Sequence, residues 1–171
     1  MEDTLNQQIK HFYDRSTPIW LDTWGEHMHH GYYGADGSER KDHQQAQLDL
    51  VEEMLHWGGI EHAKRVLDAG CGVGGSARYL AKRFDCAALG LTLSTVQAEQ
   101  ARQYTAKASL EDQVQFQVRD MMTLNASDGT FDLVWSMESA EHIRDKQQLF
   151  HVFYDVLAPG GHFLMATWCH R

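Results

Sequence analysis

A glycine-rich segment between a β-rich run and a helical run constrains the fold of this chain more than any other feature. The sequence KRVLDA leads into GCGVGG and then into SARYLAKRF, so the glycines follow a predicted strand and precede a predicted helix. Glycine lets a backbone turn sharply and approach a ligand, and the start of a helix presents free N–H donors. This order predicts a site for a nucleotide-like ligand at the end of a buried strand.

The chain continues to alternate between strand-like and helix-like segments. Further apolar or β-rich runs follow, separated by segments of helical or turn composition; these runs are CAALGLT, QVQFQV, FDLVWSM and GHFLMATW. Such alternation is typical of an α/β domain whose parallel strands are joined by right-handed crossovers. We therefore predict a doubly wound, Rossmann-like, mostly parallel sheet in residues 61–171.

The first 60 residues have a different character. Residues 2–15 and 40–57 show helical spacing, and Gly58 and Gly59 provide a stop signal for the second helix. Between them lies TPIWLDTWGEHMHHGYYGADG, which is rich in aromatic residues and histidine and is interrupted by glycine. We expect residues 1–60 to form helices and a covering loop that belong to one domain with the core.

The chain stops soon after its fifth predicted strand, at TWCHR. An apolar edge strand without a partner or a cover exposes backbone groups that pair readily with other chains. We therefore expect the sheet to be truncated after the fifth strand and the natural chain to continue.

Composition excludes several classes of protein. The chain has 171 residues, 43% of them apolar, which suffices for one core but not comfortably for two domains. Its 15 Lys and Arg stand against 24 Asp and Glu, and the resulting charge of −9 disfavours a nucleic-acid partner, which needs a basic face. No apolar run approaches the roughly 18 residues of a membrane span.

The N-terminal sequence and the cysteines bear on location. The start, MEDTLNQQIKHFYD, lacks both the apolar stretch of a secretory signal and the Arg-rich character of a transit peptide, so we expect no targeting segment. Cys71, Cys86 and Cys169 contain no C-x-x-C pair and are odd in number, which disfavours a disulfide framework. These features predict a reducing, cytoplasmic location.

The glycine segment satisfies two ligand-binding patterns. Residues 70–75 match the dinucleotide pattern G-x-G-x-x-G, and residues 68–74 match D-x-G-x-G-x-G. A dinucleotide enzyme needs an acidic residue about 20 positions further on for the ribose hydroxyls. Thr92 stands where that acid would be, which weakens a nicotinamide-dependent oxidoreductase as an alternative but leaves it open.

Three features together resemble the class I S-adenosylmethionine-dependent methyltransferases: residues 68–74, Asp120 after the third strand, and FDLVWSMES at the fourth. Thr92 departs from the commonest form, but GLTLSTVQ is similar to the branch of tocopherol and sterol methyltransferases and cyclopropane fatty acid synthases. WGEHMHHGYYG, WSMESAEHIRDK and VLAPGGHFLMATWCHR extend the resemblance to the γ-tocopherol methyltransferase family, particularly its cyanobacterial members. The resemblance covers nearly the whole chain. It implies S-adenosylmethionine as cofactor and a chromanol or other small hydrophobic acceptor.

The same resemblance implies which residues bind the cofactor. Asp68 would order the loop or meet the amino group, Gly70 and Gly72 would lie against the methionine and ribose, and Asp120 would reach the adenine amine or simply cap the next turn. The complete expected set is Asp68, Gly70, Cys71, Gly72, Gly74, Gly75, Thr92, Leu93, Asp120, Met121, Ser136, Tyr13 and Tyr33. For Tyr13 and Tyr33, plain packing between helix and sheet is the alternative.

Candidate catalytic residues lie in ESAEHIRDK, directly after the fourth strand, at the sheet edge where ligands bind in open α/β folds. If this segment is α-helical, Glu138 and His142 share a face and Glu141 neighbours them. A phenolic acceptor has a pKa near 10, so a base should accelerate its methylation by about 100- to 10,000-fold. His142 is the preferred base because its unperturbed pKa is near neutrality. In the alternatives, Glu138 contacts cofactor or substrate, or the two acids only favour the helix dipole while His142 packs or caps.

The histidine-rich loop predicts a cover rather than a metal site. His27, His29 and His30 match no standard zinc spacing and have no cysteine beside them, so we expect no metal. Residues able to close over the cofactor and exclude water are Tyr13, Trp20, Trp24, Tyr32 and Tyr33. A hydrophobic acceptor leaves peripheral membrane contact open, and a cofactor-binding fragment without catalysis is a further alternative. Nothing in the sequence predicts the oligomeric state.

Overall fold

A five-stranded parallel sheet forms the centre of the computed structural model, which describes residues 4–169. Its strands are β1 (Arg65–Ala69), β2 (Ala87–Thr92), β3 (Val114–Val118), β4 (Phe131–Met137) and β5 (Leu157–Ala166). They lie in the order β3-β2-β1-β4-β5, and every neighbouring pair is parallel. The predicted Rossmann-like fold class is confirmed.

Helices cover both faces of the sheet. The α-helices are α1 (Leu5–Trp24), α2 (His43–Trp57), α3 (Gly75–Phe84), α4 (Thr95–Lys107) and α5 (Lys146–Asp155). Successive residues of a strand point to opposite faces, so Val66 packs in the cluster with α2, α3 and α4 while Leu67 packs in the cluster with α5. No helix within residues 4–169 is long and apolar enough to cross a membrane.

The strand order places a crevice beside β1. From β1 the chain builds outward through β2 to β3, and then returns to the other side for β4 and β5. The loops that follow β1 and β4 therefore leave neighbouring strands in opposite directions, which is where open α/β sheets bind ligands. Both predicted ligand segments, the glycine loop and residues 138–146, begin at this crevice.

Helix α1 is longer than the sequence predicts. The expected end at residue 15 and the expected loop from residue 17 are wrong, because the helix continues through Pro18 to Trp24. Proline removes one backbone hydrogen bond but does not forbid a helix whose later turns pack well. Here the rings of Trp20 and Trp24 pack edge to face with their centres 5.7 Å apart. The helix is capped by Gly25, where φ is 72°.

The segment after β4 is not α-helical, so the condition under which Glu138 and His142 would share a helix face does not hold. Glu138 has a left-handed backbone with φ 46°, and only a 3-10 turn, Ala140–His142, follows it. Ser139 Oγ donates to Ala69 O at 2.7 Å, and Lys146 Nζ donates to Ala140 O at 2.7 Å. These bonds tie the segment to β1 and to the start of α5, so its chain turns tightly instead of continuing as a helix.

Candidate active site

A cleft opens at the carboxyl ends of β1, β2 and β4, beneath α1 and residues 26–29. Its floor and walls include the loops after these strands, and its cover includes Asn6, Ile9 and Tyr13 of α1. The predicted site residues that line the cleft are Tyr13, Asp68, Gly70, Cys71, Gly72, Gly75, Thr92, Leu93, Asp120, Met121, Glu138 and His142. The fold thus brings together segments that are far apart in the sequence.

The glycine loop is anchored to its neighbouring strand. The backbone N–H groups of Gly70 and Cys71 both donate to Leu91 O, at 3.0 and 2.8 Å. Gly70 has φ 86°, and a Cβ there would lie 2.2 Å from Cβ of Ser139, so a side chain would collide with the loop after β4. A Cβ on Gly72 would approach only Met28 Sδ, at 3.9 Å, which leaves that side of the loop open toward the cleft.

The last two glycines of the loop serve packing more directly than ligand contact. A Cβ on Gly75 would lie 2.3 Å from Glu26 O. Because Gly75 has no side chain, the backbone at Glu26 can pack directly on the start of α3. Gly74 does not line the cleft: its φ is 79°, and a Cβ there would lie 2.4 Å from the ring of Phe116. Gly74 therefore lies outside the cleft lining, and its missing side chain leaves room for the ring of Phe116.

Asp68 is a buried carboxylate at the end of β1. It is 1% exposed, it lines the cleft, and its Oδ2 atom has no hydrogen-bond partner among the described residues. Burial raises the pKa of Asp68 to about 7, against the opposing effects of the Ala77 backbone hydrogen bond and Arg78. An unsatisfied buried carboxylate oxygen is costly, and a cationic donor entering the cleft would satisfy it.

The Thr92 hydroxyl forms hydrogen bonds with neighbouring protein groups. Its Oγ1 donates to Gln97 Oε1 at 2.7 Å and accepts from the backbone N–H of Ser94 at 3.1 Å. Gln97 is 3% exposed and lines the cleft, and its Nε2 lies 3.9 Å from Met28 Sδ. An amide donor therefore stands near the strand end where a dinucleotide enzyme would have a carboxylate. The sequence analysis missed Gln97, although its place in the first turn after β2 was a usable signal.

Asp120 caps a turn and also borders the cleft; its contact with the adenine amine stays a prediction. Its Oδ1 accepts from Met122 N at 2.9 Å, and its Oδ2 accepts from Asn6 Nδ2 at 2.6 Å. The second bond joins the start of α1 to the loop after β3. Each carboxylate oxygen retains a lone pair for a further donor. Met121 lines the cleft beside Asp120.

Tyr13 and His142 meet across the cleft. The Tyr13 hydroxyl lies 2.8 Å from His142 Nε2, and the rings form an edge contact with centres 5.6 Å apart. Burial raises the pKa of Tyr13, and the carboxylates of Glu141 and Glu138 raise it further. The phenol thus stays protonated at neutral pH and can donate to a neutral imidazole.

The two predicted catalytic acids have protein partners. Glu138 lines the cleft, and its carboxylate accepts two hydrogen bonds from His30. Glu141 does not line the cleft, because its Oε1 accepts from Thr167 Oγ1 and from Trp168 N, each at 2.8 Å. Glu141 therefore holds the end of β5 and is misplaced as a catalytic candidate.

Ser136 and Tyr33 also do not line the cleft. Ser136 is fully buried, and its Oγ lies 2.9 Å from Ser139 Oγ. The Tyr33 hydroxyl lies 2.7 Å from Nδ1 of His43, so this ring packs against the start of α2. Of the predicted aromatic cover, Tyr13 alone lines the cleft among the described residues.

The histidines of the loop form hydrogen bonds with protein groups. His29 Nδ1 donates to His30 O at 2.8 Å, and His29 Nε2 lies 3.3 Å from His27 Nδ1. Burial, His29 and Arg78 lower the pKa of His27 to about 3, so its ring stays neutral at neutral pH. Residues 4–169 contain no group of three or more His, Cys, Asp or Glu side chains that could hold a metal ion.

Comparisons with known proteins agree with this geometry. The family model described as "Methyltransferase domain" matches residues 66–161. Tocopherol O-methyltransferase, chloroplastic, of Arabidopsis thaliana is 43% identical over 178 residues, covering 99% of this chain and 51% of that protein. The 2-methyl-6-phytyl-1,4-hydroquinone methyltransferase of Synechocystis is 39% identical over 151 residues, covering 86% of this chain and 46% of that protein.

A solved structure shares the fold closely. The crystal structure of the cyclase SpnF superposes with a TM-score of 0.83 at 30% identity, covering 95% of this chain and 60% of that chain. The present chain spans about half the length of the curated relatives it matches.

Proposed function

Because the chain belongs to the methyltransferase domain family, we propose that its cleft binds S-adenosylmethionine and that the protein methylates a small hydrophobic acceptor of the chromanol or hydroquinone class. The observation that carries the proposal is the convergence of Asp68, the glycine loop and the Tyr13–His142 pair on one cleft. A cyclase is among the proteins of similar structure, so cofactor binding and methyl transfer need separate tests.

The residues of the cleft fit this cofactor. S-adenosylmethionine supplies, when bound, an electrophilic methyl group on a sulfonium, together with an ammonium, a ribose and an adenine. Asp68 Oδ2 is buried and has no hydrogen-bond partner within residues 4–169, so it would accept from the ammonium. Gln97 and Asp120 would serve the ribose and the adenine amine, because an amide and a carboxylate supply the matching donors and acceptors.

His142 would act as the general base. A phenolic acceptor with a pKa near 10 is mostly neutral at pH 7, and transfer of its proton to His142 Nδ1, the ring nitrogen that Tyr13 does not contact, would leave a negative charge that the ring carbons share. Tyr13 holds the imidazole from the other side of the cleft through the 2.8 Å contact. Positioning of donor and acceptor contributes the larger part of such catalysis.

The acceptor class rests on the relatives. The plant relative is named for tocopherol and the Synechocystis relative for a phytyl hydroquinone, and both molecules combine a phenolic ring with a long apolar chain. Such an acceptor favours peripheral contact with a lipid surface. Two plant relatives are named chloroplastic, so the cytoplasmic location stays a prediction.

Calorimetric titration of this chain with S-adenosylhomocysteine, with NADH as the control, tests the cofactor. We expect saturable binding of S-adenosylhomocysteine and none of NADH. Binding of NADH alone would favour the oxidoreductase alternative and overturn the proposal. Binding of neither ligand would show that these residues do not form a competent site.

Radiolabelled methyl transfer to γ-tocopherol and to a phytyl hydroquinone tests the chemistry. We expect His142→Ala to lower turnover by about 100-fold or more, with S-adenosylhomocysteine affinity changed only a few-fold. Tyr13→Phe keeps the ring but removes its hydroxyl, and we expect a smaller loss of about 10-fold. Unchanged turnover in His142→Ala would remove His142 as the base.

A further inference from the structure

A strap, defined here as residues 26–30, crosses the cleft between α1 and α2. His27, Met28 and His29 line the cleft from above, whereas His30 does not line it. The strap rests on the glycine loop, since its Glu26 carbonyl occupies the space that a Cβ on Gly75 would need. Any ligand held by the glycine loop therefore lies beneath this segment.

One end of the strap is fastened to the helices beside the sheet. Glu26 forms a salt bridge with Arg78 of α3 at 2.6 Å. Gln47 of α2 is fully buried, and its Nε2 donates to the carbonyl of His29 at 2.9 Å and also to that of His27. The attachment is difficult to open, because opening it would leave the fully buried Gln47 amide without hydrogen-bond partners.

The other end of the strap is fastened by Glu138. Its Oε1 accepts from His30 N at 3.1 Å, and its Oε2 accepts from His30 Nδ1 at 2.9 Å. The Glu138 side chain is only 14% exposed, whereas the His30 side chain is 51% exposed. The hydrogen bonds that the Glu138 carboxylate accepts at this end therefore come from one residue whose ring water can reach, and that ring also makes edge contacts with Trp24 and Trp168.

The backbone of Glu138 is strained. Its φ of 46° lies in the left-handed region, which non-glycine residues rarely adopt and which is tolerated where surrounding contacts fix it. The conformation is held by the Glu138 N–H, which donates to Ala166 O at 2.8 Å, and by the two bonds from His30. The strained backbone therefore belongs to the same residue whose carboxylate contacts the strap at His30.

From this geometry we propose that Glu138 is a positioning residue that clamps the strap at His30, and that release of this clamp admits and frees the ligand of the cleft. The identity of that ligand rests on the proposed function, but the clamp itself does not. Each carboxylate oxygen of Glu138 accepts a hydrogen bond from His30, so the proposal has Glu138 act by positioning the strap rather than as a second base.

Hydrogen-exchange mass spectrometry of the ligand-free chain tests the clamp directly. In Glu138→Ala and His30→Ala we expect amide exchange in residues 25–34 to rise at least about 10-fold, while exchange in β1 and β4 is unchanged. His30→Asn retains a side-chain donor near the position of Nδ1 and should keep exchange close to the wild-type rate. His62→Ala changes an exposed histidine elsewhere and serves as the matched control.

The rates of S-adenosylhomocysteine binding separate a clamp from a direct contact. Opening the strap should raise association and dissociation together, each by about 5- to 10-fold, so that the dissociation constant changes less than either rate. Glu138→Ala removes both hydrogen bonds, whereas His30→Ala keeps the one from the His30 backbone N–H, so the double variant should differ little from Glu138→Ala alone. A rise in dissociation alone, with additive effects, would identify a ligand contact and overturn the clamp.

The outcomes distinguish this proposal from the proposed function. If the wild type binds no S-adenosylhomocysteine, the cofactor proposal fails while the exchange experiment still decides the clamp. If exchange in residues 25–34 is unchanged in His30→Ala and in Glu138→Ala, the clamp is wrong even when the cofactor binds. Should Glu138→Ala fail to fold, Glu138→Gln keeps the volume and one acceptor, and with His30→Ala it carries the same test.

Discussion

The glycine loop and the cover above it hold the same cleft by different means. The loop continues from β1, whose residues are buried in both apolar clusters, and it is bonded to β2 through backbone groups. The cover, formed by α1 and the strap, reaches the sheet edge through polar pairs between distant residues: Asn6 with Asp120, Tyr13 with His142, Asp14 with Ser94, and His30 with Glu138. One side of the cleft is thus part of the core, and the other is attached to it.

This difference has a functional reason. Close-packed apolar contacts fix a loop within a fraction of an ångström, which ligand positioning requires. A polar pair at the surface contributes only about 0.5–1.5 kcal/mol, because water replaces it when it opens. A cover joined by several such pairs can stay closed on average and still open to exchange a ligand. If the two sides are independent in this way, a substitution in the cover should leave the core side largely unchanged.

Gly70→Ala should produce the largest effect. The new Cβ would lie 2.2 Å from Cβ of Ser139, and the backbone would keep a φ of 86°. We expect the free energy of unfolding to fall by about 2–4 kcal/mol and ligand affinity to fall more than about 100-fold, from overpacking and left-handed strain. Urea unfolding and titration with S-adenosylhomocysteine measure the two losses.

Gly37→Ala is the matched control for this variant. Gly37 has φ 73°, but a Cβ there would meet nothing within 4 Å. The control therefore isolates the cost of the left-handed backbone, about 1 kcal/mol, and should leave affinity unchanged. If the two variants lost affinity equally, the packing of the loop against Ser139 would not explain the site.

Asp68→Asn should separate ligand affinity from stability. At pH 8 the wild-type carboxylate is charged and buried, so the asparagine variant should be more stable by a few kcal/mol. The same change removes the acceptor for a cationic group and should weaken S-adenosylhomocysteine binding by about 100-fold, as expected for a charged hydrogen bond. Thermal unfolding and calorimetry at pH 8 measure these opposite changes. A loss of both stability and affinity would contradict the assigned role.

The pH dependence of the wild type gives the same test without mutation. Burial raises the pKa of Asp68 from 3.8 to about 7, so the folded state binds an extra proton between these values. The contribution of Asp68 to stability is therefore fully present below pH 4 and is lost as pH rises toward 7. A cationic ligand needs the carboxylate, so its affinity should fall up to about tenfold per pH unit below 7. Asp68→Asn should abolish that slope.

Sequence reasoning predicted the core side of the cleft well. Strand ends and glycines are local signals, and they placed Asp68, Gly70 and Gly72 correctly at the cleft. The same reasoning misassigned Gly74, whose freedom serves a contact with Phe116, a residue that β3 brings close only after folding. A glycine pattern predicts that the backbone turns sharply or has no space for a side chain at these positions. It does not predict which neighbouring residue fills that space.

The cover was much harder to predict from the sequence. Helix α1 was predicted too short because the glycine-interrupted, aromatic and His-rich stretch after residue 16 suggested a loop. Several attachments of the cover join residues 80 positions or more apart, such as Asp14 and Ser94. The spacing of polar side chains along a helix does not indicate which distant residues they will hydrogen-bond. Glu138 and His142 were found by position after β4, but the left-handed backbone of Glu138 was not predictable from ESAEHIRDK.

Asp14→Asn should have the smallest effect and tests the attachment of α1. Asp14 Oδ1 accepts from Ser94 Oγ at 2.6 Å, and Lys10 Nζ donates to Oδ2. Burial alone would raise the pKa of Asp14, but the hydrogen bonds from Lys10 and Ser94 outweigh it and lower that pKa. The contribution of Asp14 to stability is therefore present above its ordinary value of 3.8 and is lost as pH falls through the lower folded value.

We expect Asp14→Asn to lower the free energy of unfolding by about 1 kcal/mol at pH 7, with the difference from wild type shrinking as pH falls below 3.8. Amide exchange should rise in residues 5–20 and stay unchanged in β1 and β4, because the polar attachment opens before the core does. Asp22→Asn, at an exposed position of the same helix, should change neither quantity appreciably and is the control. Equal acceleration in α1 and in the strands would mean that cover and core unfold as one unit, and the distinction between the two sides of the cleft would then be wrong.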